Sequence, residues 1–199
     1  MRNFRFLLPL LVAVPAPAQE PAESADDFFP LVAGTTWTYK VSGQEDRFSV
    51  KAVRQEMIGT QTCMLMEAML KDKVVATEHL AFTKNGLYRF RADKEDIDPP
   101  VCVLKLPTTR NLRWNAEYKL GTRSAKYTFS SATTEITVPA GKFKAVTVQT
   151  DSNEAPGRGT LTWISYAEGI GMVRQAIVEG KGRPALSLEL EKFETVPKP

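Results

Sequence analysis

Histidine is nearly missing: His79 stands alone in 199 residues. Zinc held by protein ligands draws on three or four nitrogen, sulfur or carboxylate groups, usually with closely spaced pairs. Neither CxxC nor HxxxH occurs here. A Ser-His-Asp triad would have to use His79 as its base, and no Gly-x-Ser-x-Gly elbow presents a nucleophile. No glycine-rich loop leads into a helix, so a phosphate cradle lacks both of its parts. A charge excess is absent too. The chain carries 26 Lys and Arg against 23 Asp and Glu, and two of the bases lie within the first five residues. That near balance removes the electrostatic argument for nucleic acid as a partner. No cofactor is implied, and no catalytic constellation is visible.

Long apolar runs are lacking as well. The longest, Phe6 to Val14, spans nine residues and is broken by Pro9. A membrane helix needs roughly twenty. Arg2 and Arg5 before this run and Ala16-Pro17-Ala18 after it make the charged, apolar and small-residue parts of a secretory signal. The expectation is a signal peptide over residues 1–18 and a polar leader over 19–27. A mature chain without a transmembrane segment then follows, periplasmic or extracellular after cleavage near Ala18. No cysteine follows the cleavage region, which argues against a lipid anchor.

Cysteine is scarce: only Cys63 and Cys102. In an oxidising compartment an even count allows one bridge. Two buried thiols behaving as small apolar side chains are the alternative.

What the chain has in abundance is alternation of period two, the mark of half-buried strands. Trp37, Tyr39 and Val41 alternate with Thr36, Thr38 and Lys40; Trp114, Ala116, Tyr118 and Leu120 alternate with Asn115, Glu117 and Lys119. Lys71-Asp72 and Asn85-Gly86 read as hairpin turns. The acidic stretch Asp93 to Asp98 followed by Pro99-Pro100 reads as an internal boundary, because a central strand does not accommodate a Pro pair. Its acids could hold calcium, but Lys94 intrudes and the spacing of an EF-hand loop is absent. Arg110, Arg113, Lys119, Arg123 and Lys126 form a basic group around the second Trp.

The pattern also repeats. A Pro precedes a Trp by seven positions at Pro30–Trp37 and at Pro107–Trp114, a shift of 77. Gly59 matches Gly141 at a shift of 82, and Gly86 matches Gly171 at 85. The predicted fold is therefore all-β, with about twelve antiparallel strands and little helix. Residues 28–199 form one domain of two tandem meanders, about 28–98 and 101–195, curled into a barrel-like sheet or stacked as a two-layer sandwich.

Three motifs carry a resemblance: Phe29-Pro30-Leu31-x-x-Gly34-x-x-Trp37-x-Tyr39, Val138-Pro139-Ala140-Gly141-Lys142-Phe143, and Trp163-x-x-Tyr166-x-x-Gly169-x-Gly171-x-Val173-Arg174. Together they resemble a group of uncharacterised bacterial exported β-domain proteins. The resemblance implies an all-β, barrel-like envelope domain and brings no catalytic residues with it.

Three functions remain in play. The leading one is a non-enzymatic binding or interaction module of the cell envelope, with a protein, a glycan or a hydrophobic small molecule as partner. A carrier holding a hydrophobic ligand or lipid inside the curled sheet is the second. The third is a hydrolase of envelope polymers using an acid pair, for which Glu67, Glu78, Glu117 and Glu135 are undifferentiated candidates. Trp37, Tyr39, Met64, Met66, Trp114, Tyr118 and Trp163 are expected to line a ligand space or form core, with Met57 and Met69 as further candidates for that space.

Overall fold

The structure is a computed structural model describing residues 28–108, 111–152, 160–179 and 184–196. The signal segment, the leader and Arg110 lie outside the described residues.

Twelve strands follow one another around a ring. They are β1 (Thr36–Val41), β2 (Arg47–Ile58), β3 (Gln61–Leu70), β4 (Lys73–Thr83), β5 (Gly86–Ala92) and β6 (Glu95–Lys105), then β7 (Arg113–Leu120), β8 (Arg123–Val138), β9 (Gly141–Ser152), β10 (Thr160–Ala167), β11 (Gly171–Glu179) and β12 (Pro184–Glu194). Each pairs antiparallel with its sequence neighbours, and β12 returns to β1, closing a barrel. Closure removes the sheet edges that an open meander would leave. Of the two architectures the sequence allows, this is the barrel.

Local chemistry explains the turns. Lys71 and Asp72 both adopt positive φ, 51° and 58°, the backbone of a two-residue hairpin that follows strand twist. Gly86 takes φ 140°, and a Cβ built on it would lie 2.0 Å from the Leu104 carbonyl oxygen. Only glycine fits there. The echoed positions occupy matching places in the ring: Trp37 and Trp114 on β1 and β7, Gly59 and Gly141 between β2 and β3 and at the start of β9, Gly86 and Gly171 at the starts of β5 and β11.

Pro99-Pro100 does not interrupt the chain's extended course, contrary to the boundary expected there. β6 runs through both residues. The ladder to β7 consists of Ile97 opposite Leu120 and Asp98 opposite Lys119, and it lapses where the prolines begin. The β5 ladder is also irregular at that level, between Arg89 and Arg91. Two missing N–H donors therefore cost no regular ladder bond.

The inward faces form one core, in which Trp37, Tyr39, Met66, Leu87, Leu104 and Leu190 are almost wholly buried. Phe28 to Gly34 crosses one end of the barrel. The Phe29 ring sits 5.0 Å from Trp37 and 6.3 Å from Tyr166, and it packs on Gly171, where a side chain would collide with it. The Gly34 N–H donates to the Ala52 carbonyl at 2.8 Å and fixes the crossing. At the opposite end lie the hairpins β1–β2, β3–β4 and β5–β6.

The possible bridge between Cys63 and Cys102 is not formed; both thiols are free and buried. Cys63 is on β3 and Cys102 on β6, with β4 and β5 between them. Three strand spacings amount to about 14 Å, whereas a disulfide needs Cα atoms within about 7 Å.

Candidate functional site

Small eight-stranded barrels are just filled by their own side chains, and wider ones enclose space. Twelve strands leave a cavity of about 290 Å³, with Phe29 at its floor and Ala76, Thr77, Ala92 and Asp93 toward the hairpin end. A second chamber of about 210 Å³ lies beside it. Arg89, Val103, Ile164 and Gln175 belong to the walls of both.

Period two selects the lining. On β4 the inward residues are Ala76, Glu78 and Leu80; on β5 they are Leu87 and Arg89. Two charges thus stand in phase with apolar neighbours on adjacent strands. Arg89 Nε donates to Glu78 Oε2 at 2.6 Å. Each side chain is about a third exposed, and that surface faces the lumen. The Glu78 carboxylate holds the Arg89 pKa above its ordinary value. Pairing offsets the cost of bringing both charges inside.

Phenols complete the polar lining. The Tyr39 hydroxyl donates to the Met172 carbonyl at 2.9 Å, and burial raises its pKa well above the usual value. Burial raises Tyr166 likewise. Tyr118 and Tyr127 stack at 5.8 Å, and burial, followed by the neighbouring Tyr127, pushes the Tyr118 phenol up to about 12. Tyr39, Tyr166 and Tyr118 stay protonated at neutral pH and offer hydrogen bonds rather than charge.

The residues named from sequence divide among several places. Tyr39 and Met66 line the larger chamber and Tyr118 the smaller. Trp37 and Met64 are core, with the Trp37 indole N–H donating to the Ile170 carbonyl at 2.6 Å. Trp114 fills the divergence between β6 and β7, donating to the Cys102 carbonyl at 3.0 Å. Trp163 corrects the expectation. Thr162, Ile164 and Tyr166 point inward on β10, so Trp163 alternates outward, where its N–H meets Gln149 Oε1 at 3.1 Å. Met57 is also outside, 60% exposed. Arg89 was not singled out by its sequence, although its place two residues after Leu87 was the available signal.

Among the described residues, the carboxylates with a displaced pKa are Glu56, Asp96 and Glu191. All move downward, through hydrogen bonds from His79, Arg91 and Arg47 respectively. A general acid needs the opposite displacement. His79 Nε2 lies 2.8 Å from Glu56 Oε2. The Cys63 thiol is pushed up to about 11 by burial, and burial raises Cys102 too, so neither has thiolate character. Three of the four acids of the stretch considered for calcium are engaged: Asp93 accepts the Thr77 N–H, Asp96 pairs with Arg91 and Glu95 with Arg123. Among the described residues no group of three or more His, Cys, Asp or Glu side chains is placed to hold a metal ion.

The fold has solved counterparts. One is a presumed lipoprotein from Parabacteroides distasonis, 15% identical, with a TM-score of 0.51; the match covers 86% of this chain and all of that one. Another is a presumed exported protein with a YmcC-like fold from Bacteroides fragilis, 14% identical, TM-score 0.47, covering 84% and 99%. The first likeness extends to the fold. No protein-family model matches the sequence, and neither does any curated protein.

Proposed function

We propose that this chain is an exported barrel that binds a small, mainly apolar molecule in its lumen, as a carrier or receptor rather than an enzyme. The carrying observation is the space itself: a closed ring of strands with a packed core retains a cavity of about 290 Å³ next to one of about 210 Å³. Ligand pockets run from about 300 Å³ upward and combine an apolar lining with a few convergent polar groups. Phe48, Val50, Met66, Leu80 and Met172 supply the first, and Glu78, Arg89 and Gln175 the second. Export rests on the signal-like residues 1–18.

A neutral apolar fluorophore, N-phenyl-1-naphthylamine, tests this reading. The purified mature chain should enhance its emission saturably, and Ala68→Trp, which fills the larger chamber, should abolish the enhancement. A wild-type protein that leaves the dye dark would overturn the proposal. The interaction-module reading is favoured by one feature, the paired exposed valines Val74 and Val75 at the β3–β4 tip.

A further inference from the structure

The lumen's charges are unevenly distributed, and the unevenness has chemical content. Glu78 and Asp93 line the larger chamber, whereas no acid among the described residues lines the smaller one. Arg89 reaches both, and among the described residues it is the one cationic side chain lining either. Glu78 engages Arg89 through Nε, and the two Nη groups have no partner among the described residues. A guanidinium is a rigid fork whose Nη side can take a carboxylate while its Nε side is occupied.

The surroundings of that free end favour an anion. Gln175 stands with Arg89 at the junction of the chambers, and Thr150 and Thr162 add hydroxyl donors on the smaller side. The phenols Tyr118 and Tyr127 are stacked on each other in that wall, and the Tyr118 hydroxyl, raised by burial, brings no negative charge. Away from the fork, Phe29, Met66 and Leu80 make an apolar wall against which a hydrocarbon can lie.

We propose that the lumen takes a small anionic amphiphile, a carboxylate on a short hydrocarbon body, with its head on the Arg89 Nη groups facing the smaller chamber and its body in the larger. This deepens the lumen-binding reading and rests on it. Glu78 then has two roles: it balances Arg89 when the lumen is empty, and it competes with the ligand head when the lumen is filled.

Displacement of bound N-phenyl-1-naphthylamine by decanoate and by decanol tests the inference, since the two competitors share a chain and differ in the head. Decanoate should displace the dye at a concentration roughly tenfold or more below that of decanol, as a charge-assisted hydrogen bond implies. Glu78→Gln should widen that preference by removing the competing carboxylate; a salt bridge of purely structural value would give no widening. The double variant Glu78→Gln/Arg89→Gln, which removes both members of the pair together so that neither is left without the other, should erase the preference while decanol displaces as before. Circular dichroism confirms that each variant is folded. Equal displacement by acid and alcohol in the wild type, or a preference surviving in the double variant, overturns the inference and leaves lumen binding standing. A dye that never binds overturns lumen binding itself.

Discussion

The barrel closes at two seams between its six-strand halves, and the seams are built differently. At β12–β1 the ladder runs from Thr36 opposite Glu194 to Val41 opposite Leu188, with Trp37 opposite Phe193. Trp37 is wholly buried between Phe29 at 5.0 Å and Phe193 at 5.7 Å. At β6–β7 the ladder stops after Asp98 opposite Lys119. Trp114 occupies the divergence, stacked on Phe129 at 5.2 Å with planes 5° apart, and its indole N–H reaches the Cys102 carbonyl. One Trp reinforces a finished ladder from inside. The other supplies a cross-strand hydrogen bond where backbone pairing has ended. The same Pro-to-Trp spacing thus serves two mechanical ends, and the partner strand decides which.

Truncation separates the two most sharply. Trp37→Ala should cost about 3–5 kcal/mol, the range for large aromatic truncations in a packed core. Trp114→Ala should cost less, because its cavity opens beside the groove along β6 and β7 and can take up water. Urea denaturation of both variants checks the order, and equal losses would break the contrast.

A finer variant isolates the hydrogen bond. Trp114→Phe keeps a ring against Phe129 and leaves the Cys102 carbonyl without its donor, for a loss of about 1–3 kcal/mol. Amide exchange should quicken in β6 and β7 and stay unchanged at β12–β1. Uniform acceleration would show that the seams do not open separately.

Matching glycines offer a second comparison between the halves. Gly86→Ala drives a Cβ into backbone at Leu104, and Gly171→Ala drives one into the Phe29 ring. Both positions have positive φ, so both should lose more than about 1 kcal/mol. Gly86→Ala should lose more, because a ring can shift and a strand carbonyl cannot. Dye binding should change with Gly171→Ala, since Phe29 floors the lumen.

The smallest effect concerns acid. Glu191 on β12 pairs with Arg47 on β2 across β1, and that hydrogen bond lowers the Glu191 pKa. A lowered folded-state pKa gives stability that is whole above the ordinary carboxylate value of about 4.3 and is lost as pH falls through the lowered one. Glu191→Gln should therefore flatten, slightly, the fall in urea midpoint between pH 5 and pH 3. An unchanged slope would mean the exposed pair contributes nothing.

Much of this architecture is legible in one dimension. Alternation from Trp37 to Val41 and from Trp114 to Leu120 gives strands with defined inward faces, and Lys71-Asp72, Asn85-Gly86 and Pro139-Ala140 mark turns between strands. Side-chain period is a local property, so sequence carries it. The site was less legible. Glu78 and Arg89 follow the same alternation as Leu80 and Leu87, yet a charge in an inward phase gains meaning only when a neighbouring strand brings its counter-charge within 2.6 Å. Trp163 failed in the reverse sense: its size suggested core, while the phase set by Ile164 and Tyr166 turned it outward.

Strand content, turn positions and the expectation of export came from sequence alone, because each depends on residues close together in the chain. Ring closure, the separation of Cys63 from Cys102, and the space inside the barrel around Arg89 came from tertiary structure. These are distances between residues far apart in sequence, fixed by how many strands stand between them and how far the ring must curve to meet itself.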